Sequence, residues 1–261
     1  HKRTKCAVCE MRKTAVSRRS LACSKSVNGL SGAPNQNKES TLPTAPTPSS
    51  ICAPTTHKIG NHALRALQHY IKRKAATNLL HAPRTAKALG RPFNTHVTIS
   101  FWQLGCDETD IFDVFAKLRN ERFQRWSSYA PVGAAVTRNG PPTYAWVIEA
   151  DKGLHHIHWM LHIAHDQLMH FSGSLRRWLI KINDGQPISD DTVMIQQIDN
   201  AEGLKKYLAK GTEPHFARFC NIRPQDTGPV HGRKSGISRN LGPAEWMPRK
   251  AAWKAARRRA A

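Results

Sequence analysis

Two stretches of the chain alternate apolar and polar residues with a period of two, which is the pattern of a half-buried β-strand. In HVTISF, residues 96–101, every second side chain is apolar. In GLHHIHWMLHI, residues 153–163, a face of Ile157, Trp159, Leu161 and Ile163 lies opposite a face of His156, His158, Met160 and His162. We therefore expect two strands, the second of which presents a row of imidazoles on the face opposite the core.

The remaining elements follow from the same kinds of pattern. Strands are predicted for VGAAVTR (132–138), YAWVIEA (144–150) and TVMIQQI (192–198). Helices are predicted for residues 107–126, with Asp107 as N-cap, and for 168–182 and 201–210. Tight turns between successive strands require antiparallel pairing, so this order predicts an α+β fold, an antiparallel sheet with helices packed on one face.

The two ends differ in composition from this central region, residues 91–246. Residues 1–60 are basic and rich in Pro, Ser, Thr and Asn, which predicts a disordered arm. Residues 61–90 place Leu64, Leu67, Ile71 and Leu79 at helical spacing among basic residues, which predicts a basic helical segment. Residues 247–261 form a basic tail.

Charge and composition narrow the classes of function. The 261 residues predict one domain plus appendages, and 40 Lys and Arg against 18 Asp and Glu give a net charge of +22, which favours a polyanionic partner such as nucleic acid. No apolar run could span a membrane and no Gly-rich phosphate loop occurs, so we expect a cytoplasmic protein with no membrane contact and no nucleotide cofactor. The scattered cysteines indicate reduced thiols, although Cys6 and Cys9 have a spacing with which a zinc site can begin.

The histidine strand carries the first set of candidate chemical groups. His156 and His158 share one face, and two imidazoles need a carboxylate to complete a site for a divalent cation that also meets phosphate. If residues 144–149 and 156–163 form a hairpin, a register that pairs 149 with 156 places Glu149 beside His156. His155 and His162 are alternative ligands, and partly buried structural histidines are the alternative interpretation of the whole set.

The second set lies in GLKKYLAKG, residues 203–211. Tyr207 and Lys210 are three residues apart, so on a helix they project from nearly the same side. A phenol is a poor nucleophile until a cation or a base assists it, and Lys210 can be that cation. By itself this pair is very weak evidence of chemistry, because helical tyrosines near lysines usually serve packing and solvation.

Taken together, these motifs resemble the HUH endonucleases, in particular the rolling-circle replication initiators of bacterial plasmids and single-stranded DNA phages. The resemblance covers roughly residues 92–245: HVTISF resembles their first motif, His156-Ile157-His158 their metal motif, and Tyr207 to Lys210 their third. It departs from many phage initiators in offering a single tyrosine, and Glu149 is an inference from the hairpin more than a motif match.

The resemblance implies a ferredoxin-like or RRM-like sheet, a Mg²⁺ or Mn²⁺ cofactor, and a nuclease domain over residues 91–246 in which Tyr207 cuts one DNA strand and keeps its 5′ phosphate. The expected partners are single-stranded or hairpin origin DNA and a host helicase and polymerase. The expected DNA contacts are basic residues of the helical segment at 61–90 and of a Gly-interrupted basic loop at 231–246: Arg65, Lys72, Arg73, Lys74, Arg233, Lys234 and Arg239. A single-tyrosine transposase and a non-catalytic RRM-like nucleic-acid-binding protein remain alternatives.

Overall fold

The computed structural model describes residues 65–129 and 139–259. The predicted arm at 1–60, the Cys6 and Cys9 pair and the predicted strand at 132–138 lie outside the described residues. Residues 65–129 and 139–259 contain no helix with both the length and the apolarity that a membrane span requires.

An antiparallel sheet of five strands organises the described chain. Its strands are β2 (Thr95–Ser100), β3 (Tyr144–Asp151), β4 (Leu154–Leu161), β5 (Val193–Gln197) and β7 (Ser235–Ile237), in the spatial order β5-β2-β4-β3-β7. A separate two-stranded ladder pairs β1 (Leu67–Gln68) with β6 (Val230–His231). The helices are α1 (Arg73–Ala88), α2 (Ile111–Lys117), α3 (Gln124–Tyr129), α4 (Leu168–Ile182), α5 (Ala201–Leu208), α6 (Pro214–Phe219) and α7 (Pro243–Arg259). The predicted α+β fold is confirmed.

One face of the sheet carries the larger apolar core. Trp159 of β4 is fully buried there, with Phe115 and Phe123 packed edge-on against its indole at centroid distances of 5.3 Å and 4.9 Å. The helix α4 adds Phe171, Leu175 and Leu179 to the same cluster. The apolar face predicted for the histidine strand is therefore the face that packs against this core.

The connection between α2 and α3 is π-helical over Leu118–Phe123. Buried side chains in this region fall at Phe115, Leu118, Phe123 and Trp126. The step of five residues from Leu118 to Phe123 is too long for the 3–4 spacing of an α-helix, and one wider turn returns both side chains to the core.

The opposite face of the sheet is covered by a second helical layer, which α1, α5 and α6 form, so the expectation that helices pack on only one face is wrong. Ala76, Leu79 and Ala82 of α1 belong to a buried cluster with Val147 and Met160 of the sheet. Leu208 of α5 and Phe216 of α6 complete this cluster. The candidate site lies in this layer.

Several boundaries differ from the sequence-based expectation. The predicted helix at 107–126 begins at Ile111 with Asp110 as its N-cap, so the expectation that Asp107 caps it is wrong. The predicted helix over 61–90 begins only at Arg73, because Leu67 and Gln68 pair with β6. The region 231–246, expected as a Gly-interrupted loop, contributes the edge strand β7. The described part of the basic tail, residues 247–259, is helical and buries none of its side chains.

Candidate active site

Three potential metal ligands meet on the hairpin of β3 and β4. Its loop is only Lys152 and Gly153, both with positive φ (52° and 79°), as in the tight turns that suit hairpins. This turn sets Glu149 directly opposite His156, so the predicted register is confirmed. Glu149, His156 and His158 each offer a ligand atom within 4.8 Å of the others, and this group could hold a metal ion.

Hydrogen bonds orient both imidazoles toward the carboxylate. Nδ1 of His156 lies 3.1 Å from the carbonyl oxygen of Leu154, which can only accept, so this nitrogen carries the proton. Nδ1 of His158 lies 3.3 Å from Oγ1 of Thr98 on β2. With both Nδ1 atoms engaged, the Nε2 atoms face Glu149 Oε2 at 3.5 Å and 3.6 Å. Metal-ligating histidines are typically held in this way.

The charge state of the group suits a cation. Burial would raise the pKa of Glu149, but the adjacent side chains of His156, His158 and Lys210 outweigh this effect and hold the pKa well below its usual range. Burial lowers the pKa of His158, which keeps its imidazole neutral. An ionised carboxylate beside a neutral imidazole is the protonation state in which both can ligate a metal.

Two polar atoms of the group lack a hydrogen-bond partner. Within the described ranges, Glu149 Oε1 and His158 Nε2 are buried and have no hydrogen-bond partner. Buried acceptors left without a partner are costly, and a cation shared by Oε1 and Nε2 would satisfy both. The residues therefore fit the divalent ion that the family resemblance implies.

Tyr207 and Lys210 reach this group from a different element. Tyr207 lies in the last turn of α5, and its half-buried ring packs against the His158 imidazole at a centroid distance of 5.9 Å. Lys210 lies in the 3₁₀ turn that follows α5, with Nζ 2.9 Å from Glu149 Oε2 and 4.2 Å from the centre of the Tyr207 ring. The two predicted sets of side chains thus form one cluster.

Backbone contacts fix the end of α5 against the rest of the fold. The side chain of Asn200 caps the helix by accepting from the N–H of Gly203. At the other end, Ile71 N–H donates to the Gly211 carbonyl and Gln225 N–H donates to that of Lys210, at 2.9 Å each. The side chain of Lys210 is also held by Glu149. Burial disfavours the charge of its ammonium, but the hydrogen bond to the carboxylate raises its pKa.

The alternative ligands lie outside the cluster. His155 pairs with Ala150 across the hairpin, and its Nδ1 contacts the carbonyl of Gly153. His162 lies beyond the end of β4 with Nδ1 2.8 Å from the carbonyl of Pro92. Within the described residues, the ligand group contains neither of them.

The predicted DNA-contacting residues divide into two groups. Lys234 is only 1% exposed, and its ammonium donates to the carbonyls of His69, Thr227 and Gly228 and to Thr227 Oγ1. The expectation that it contacts DNA is therefore wrong, because its ammonium is buried and donates to the loops at His69 and Thr227. The others are exposed, although Arg65 forms a bidentate pair with Asp113: Arg65, Lys72, Arg73, Lys74, Arg233 and Arg239.

Sequence reasoning missed two residues that contact the histidines. Thr98 was assigned only to the polar face of β2, yet its hydroxyl contacts His158. His96, on the same face, stacks on His158 at 5.3 Å, and burial lowers its pKa to about 4. The alternation in HVTISF was the available signal, because it places both residues on the polar face of β2. When β2 pairs with β4, that face lies beside the histidine face.

Comparison with known proteins assigns no family to this chain. No protein-family model, no curated protein and no solved structure matches it.

Proposed function

We propose that this protein is a metal-dependent endonuclease that cuts single-stranded DNA through a phosphotyrosine on Tyr207 and can rejoin the ends, the chemistry that initiates rolling-circle replication. One observation carries the proposal: Glu149, His156 and His158 share a buried cluster with Lys210 and the Tyr207 ring. A net charge of +22 supports a polyanionic substrate.

Glu149, His156 and His158 would hold Mg²⁺ or Mn²⁺. When bound, such an ion polarises the oxygens of the scissile phosphate and stabilises the charge that develops on them. The protein's own contribution is the fixed orientation of these ligands through Thr98 and the Leu154 carbonyl.

Tyr207 supplies the nucleophile. Its phenolic oxygen forms a bond to phosphorus while the bond from phosphorus to the 3′ oxygen breaks, and the phenolic proton passes to this departing oxygen, which leaves as a 3′ hydroxyl. The 5′ phosphate stays on the tyrosine, so a later 3′ hydroxyl can reverse the exchange without ATP. Lys210, whose Nζ lies 4.2 Å from the centre of the Tyr207 ring, would stabilise negative charge on the phenolic oxygen and on the phosphate.

A covalent adduct tests this proposal. A random-sequence pool of single-stranded DNA is incubated with the protein and Mn²⁺, and the protein is resolved under denaturing conditions. DNA labelled at its 3′ end should remain on the protein, whereas DNA labelled at its 5′ end should be released. Tyr207→Phe and a chelator should each abolish the adduct.

Tyr70→Phe is the matched control, because Tyr70 is 47% exposed and lies outside the cluster. It should form the adduct as the wild type does. An adduct that survives Tyr207→Phe would overturn the assignment of the nucleophile, and the absence of any adduct with single-stranded DNA would overturn the proposed function.

A further inference from the structure

A groove of about 540 Å³ follows the open side of β7, between the start of α1 and the region around α2. Besides Lys234, whose ammonium is bound by loop carbonyls, four cationic side chains line it: Lys72, Lys74, Arg119 and Arg233. None of the described residues that line it is acidic, and none of the four cations belongs to an ion pair between described residues. The groove therefore concentrates positive charge that the protein itself does not neutralise.

A second cavity in the described chain shows that this is not a general property of its surface. That cavity, about 450 Å³, is lined by both signs: Asp107, Asp110, Glu121 and Asp184 with Lys117, Arg122 and Lys181. A cavity with mixed charge has no strong preference for an anion, whereas the β7 groove does.

The positive end of α1 adds to the groove. This helix begins after Lys72 with no side-chain cap and no acidic residue in its first turn, and Lys72, Lys74 and Ala75 line the groove. The first N–H groups of a helix have no partner within the helix, and the helix dipole places partial positive charge there. Anions bind readily at such an end.

Ser235 supplies an independent indication of a ligand. The residue lines the groove and is 7% exposed, yet within the described chain its buried Oγ has no hydrogen-bond partner. Buried hydroxyls are normally hydrogen-bonded, so this donor is available to a bound group. Ser235 lies opposite Val147, whose side chain packs on the sheet face that also carries Glu149.

The main chain of β7 also offers unpaired hydrogen-bonding groups at the groove. Lys234 accepts from the N–H of Ile148, Gly236 pairs with Trp146, and Ser238 donates to Tyr144. In an antiparallel ladder the intervening residues turn their N–H and C=O groups to the other side, so those of Ser235 and Ile237 face the open edge. Gly236 lets the strand lie against Trp146, since a Cβ there would come within 2.7 Å of the indole.

We propose that this groove binds the phosphodiester backbone of single-stranded DNA and seats one phosphate among Ser235, Arg233 and the N-terminus of α1. The choice of ligand rests on the proposed function. Glu149 follows Trp146 by three positions on β3, about 10 Å at the rise of a strand, so a DNA strand held along β7 lies close to the candidate active site.

Binding is measured separately from cleavage. Fluorescence anisotropy of a labelled mixed-sequence single-stranded oligonucleotide is recorded in a chelator, with Tyr207→Phe as the background and with increasing NaCl. The double variant Lys74→Ala/Arg233→Ala changes two exposed groove cations. The matched control is Lys117→Ala/Lys181→Ala, which removes the same charge from the other cavity.

The groove variant should bind about tenfold more weakly at low salt, and its salt slope should be smaller by about 1.4, since each lost phosphate contact on a single strand removes about 0.7. The control should bind nearly as the background protein does. Ser235→Ala should weaken binding severalfold without changing the slope, because it removes a hydroxyl and no charge. Circular dichroism and thermal melting establish that all three variants are folded.

Equal weakening by the groove variant and the control would overturn the proposal, because bulk charge would then explain the binding. Unchanged affinity of Ser235→Ala would overturn the assignment of a phosphate-binding position at Ser235. These outcomes are separable from the proposed function. Groove-dependent binding without a Tyr207 adduct would support the groove and overturn the nuclease. A Tyr207 adduct without groove-dependent binding would support the nuclease and overturn the groove.

Discussion

Thr98 shows how a single hydroxyl can determine whether a histidine is available to a metal. Its Oγ1 engages Nδ1 of His158 and so leaves Nε2 facing Glu149. We expect Thr98→Val to weaken Mn²⁺ binding about tenfold by calorimetry, because the imidazole loses the partner that fixes its orientation.

Thr77→Val is the control for this prediction, since the Thr77 hydroxyl bonds only within its own helix, to the Arg73 carbonyl. It should bind Mn²⁺ as the wild type does. Undiminished affinity of Thr98→Val would show that His158 is oriented without the hydroxyl.

Lys234 is a buried cation whose role is structural. Lys234→Met leaves the carbonyls of His69 and Gly228 without their donor, so we expect the free energy of unfolding at pH 7 to fall by about 2 kcal/mol in urea denaturation. A buried ammonium retained by three carbonyls makes this side chain part of the loop framework of the fold.

The stabilisation by Lys234 should also depend on pH. Burial lowers its pKa from 10.5 to about 8. Between these values the unfolded chain keeps a proton that the folded chain has released, so the contribution to stability is present above pH 10.5 and is lost as the pH falls to 8. The difference between wild type and Lys234→Met should therefore grow from pH 8 to pH 10.5. A constant difference would mean that the folded ammonium stays charged.

Residues differed in how far the sequence could reveal them. Glu149, His156 and His158 could be brought together from a period of two and one short turn, which are local rules. Lys234 lies in a run of basic and glycine residues that is typical of an exposed loop, and only the distant loops at His69 and Thr227 explain its burial. The contact of Lys210 with Glu149 also depends on distant parts of the chain.

At the scale of elements, the hairpin of β3 and β4 determines the geometry of the candidate site. Lys152 occupies the left-handed region with φ 52°, a conformation that costs most L-residues energy and that asparagine tolerates. We expect Lys152→Asn to stabilise the protein by up to about 1 kcal/mol in urea denaturation.

Lys152→Ala is the comparison, because it removes the same side chain without improving the turn. It should not be more stable than the wild type. Equal stabilisation by both substitutions would point to the lost charge rather than to the backbone conformation.

The elements that sequence reasoning missed are short. β7 has three residues, one of them glycine, and β1 and β6 have two each, so none contains a full alternation of apolar and polar positions. They form because long-range partners are supplied by β3 and by each other. The four longer strands β2, β3, β4 and β5 could be predicted because each carries its own pattern.

At the scale of the whole molecule, metal binding should be visible as stability. A ligand that binds only the folded state stabilises it by about 2.7 kcal/mol when its concentration is 100 times its dissociation constant. We expect saturating Mn²⁺ to raise the melting temperature of the wild type in thermal denaturation, and a chelator to reverse the shift.

The matched variants for this measurement are Glu149→Gln and Glu202→Gln. The first removes the carboxylate charge of the candidate site, and the second removes that of a residue of α5 that pairs with Lys205. The first should lose the Mn²⁺-dependent shift and the second should keep it. A shift retained by Glu149→Gln would place the ion elsewhere on the protein.

The two halves of the candidate site differ in how far apart they lie along the chain. All three candidate metal ligands fall within residues 149–158, whereas Tyr207 comes from a helix almost fifty positions later. A β-hairpin closes in about 1–10 μs, while contacts between distant segments must await the collapse of the whole domain. During folding, the three candidate ligands would therefore meet before the proposed nucleophile reaches them.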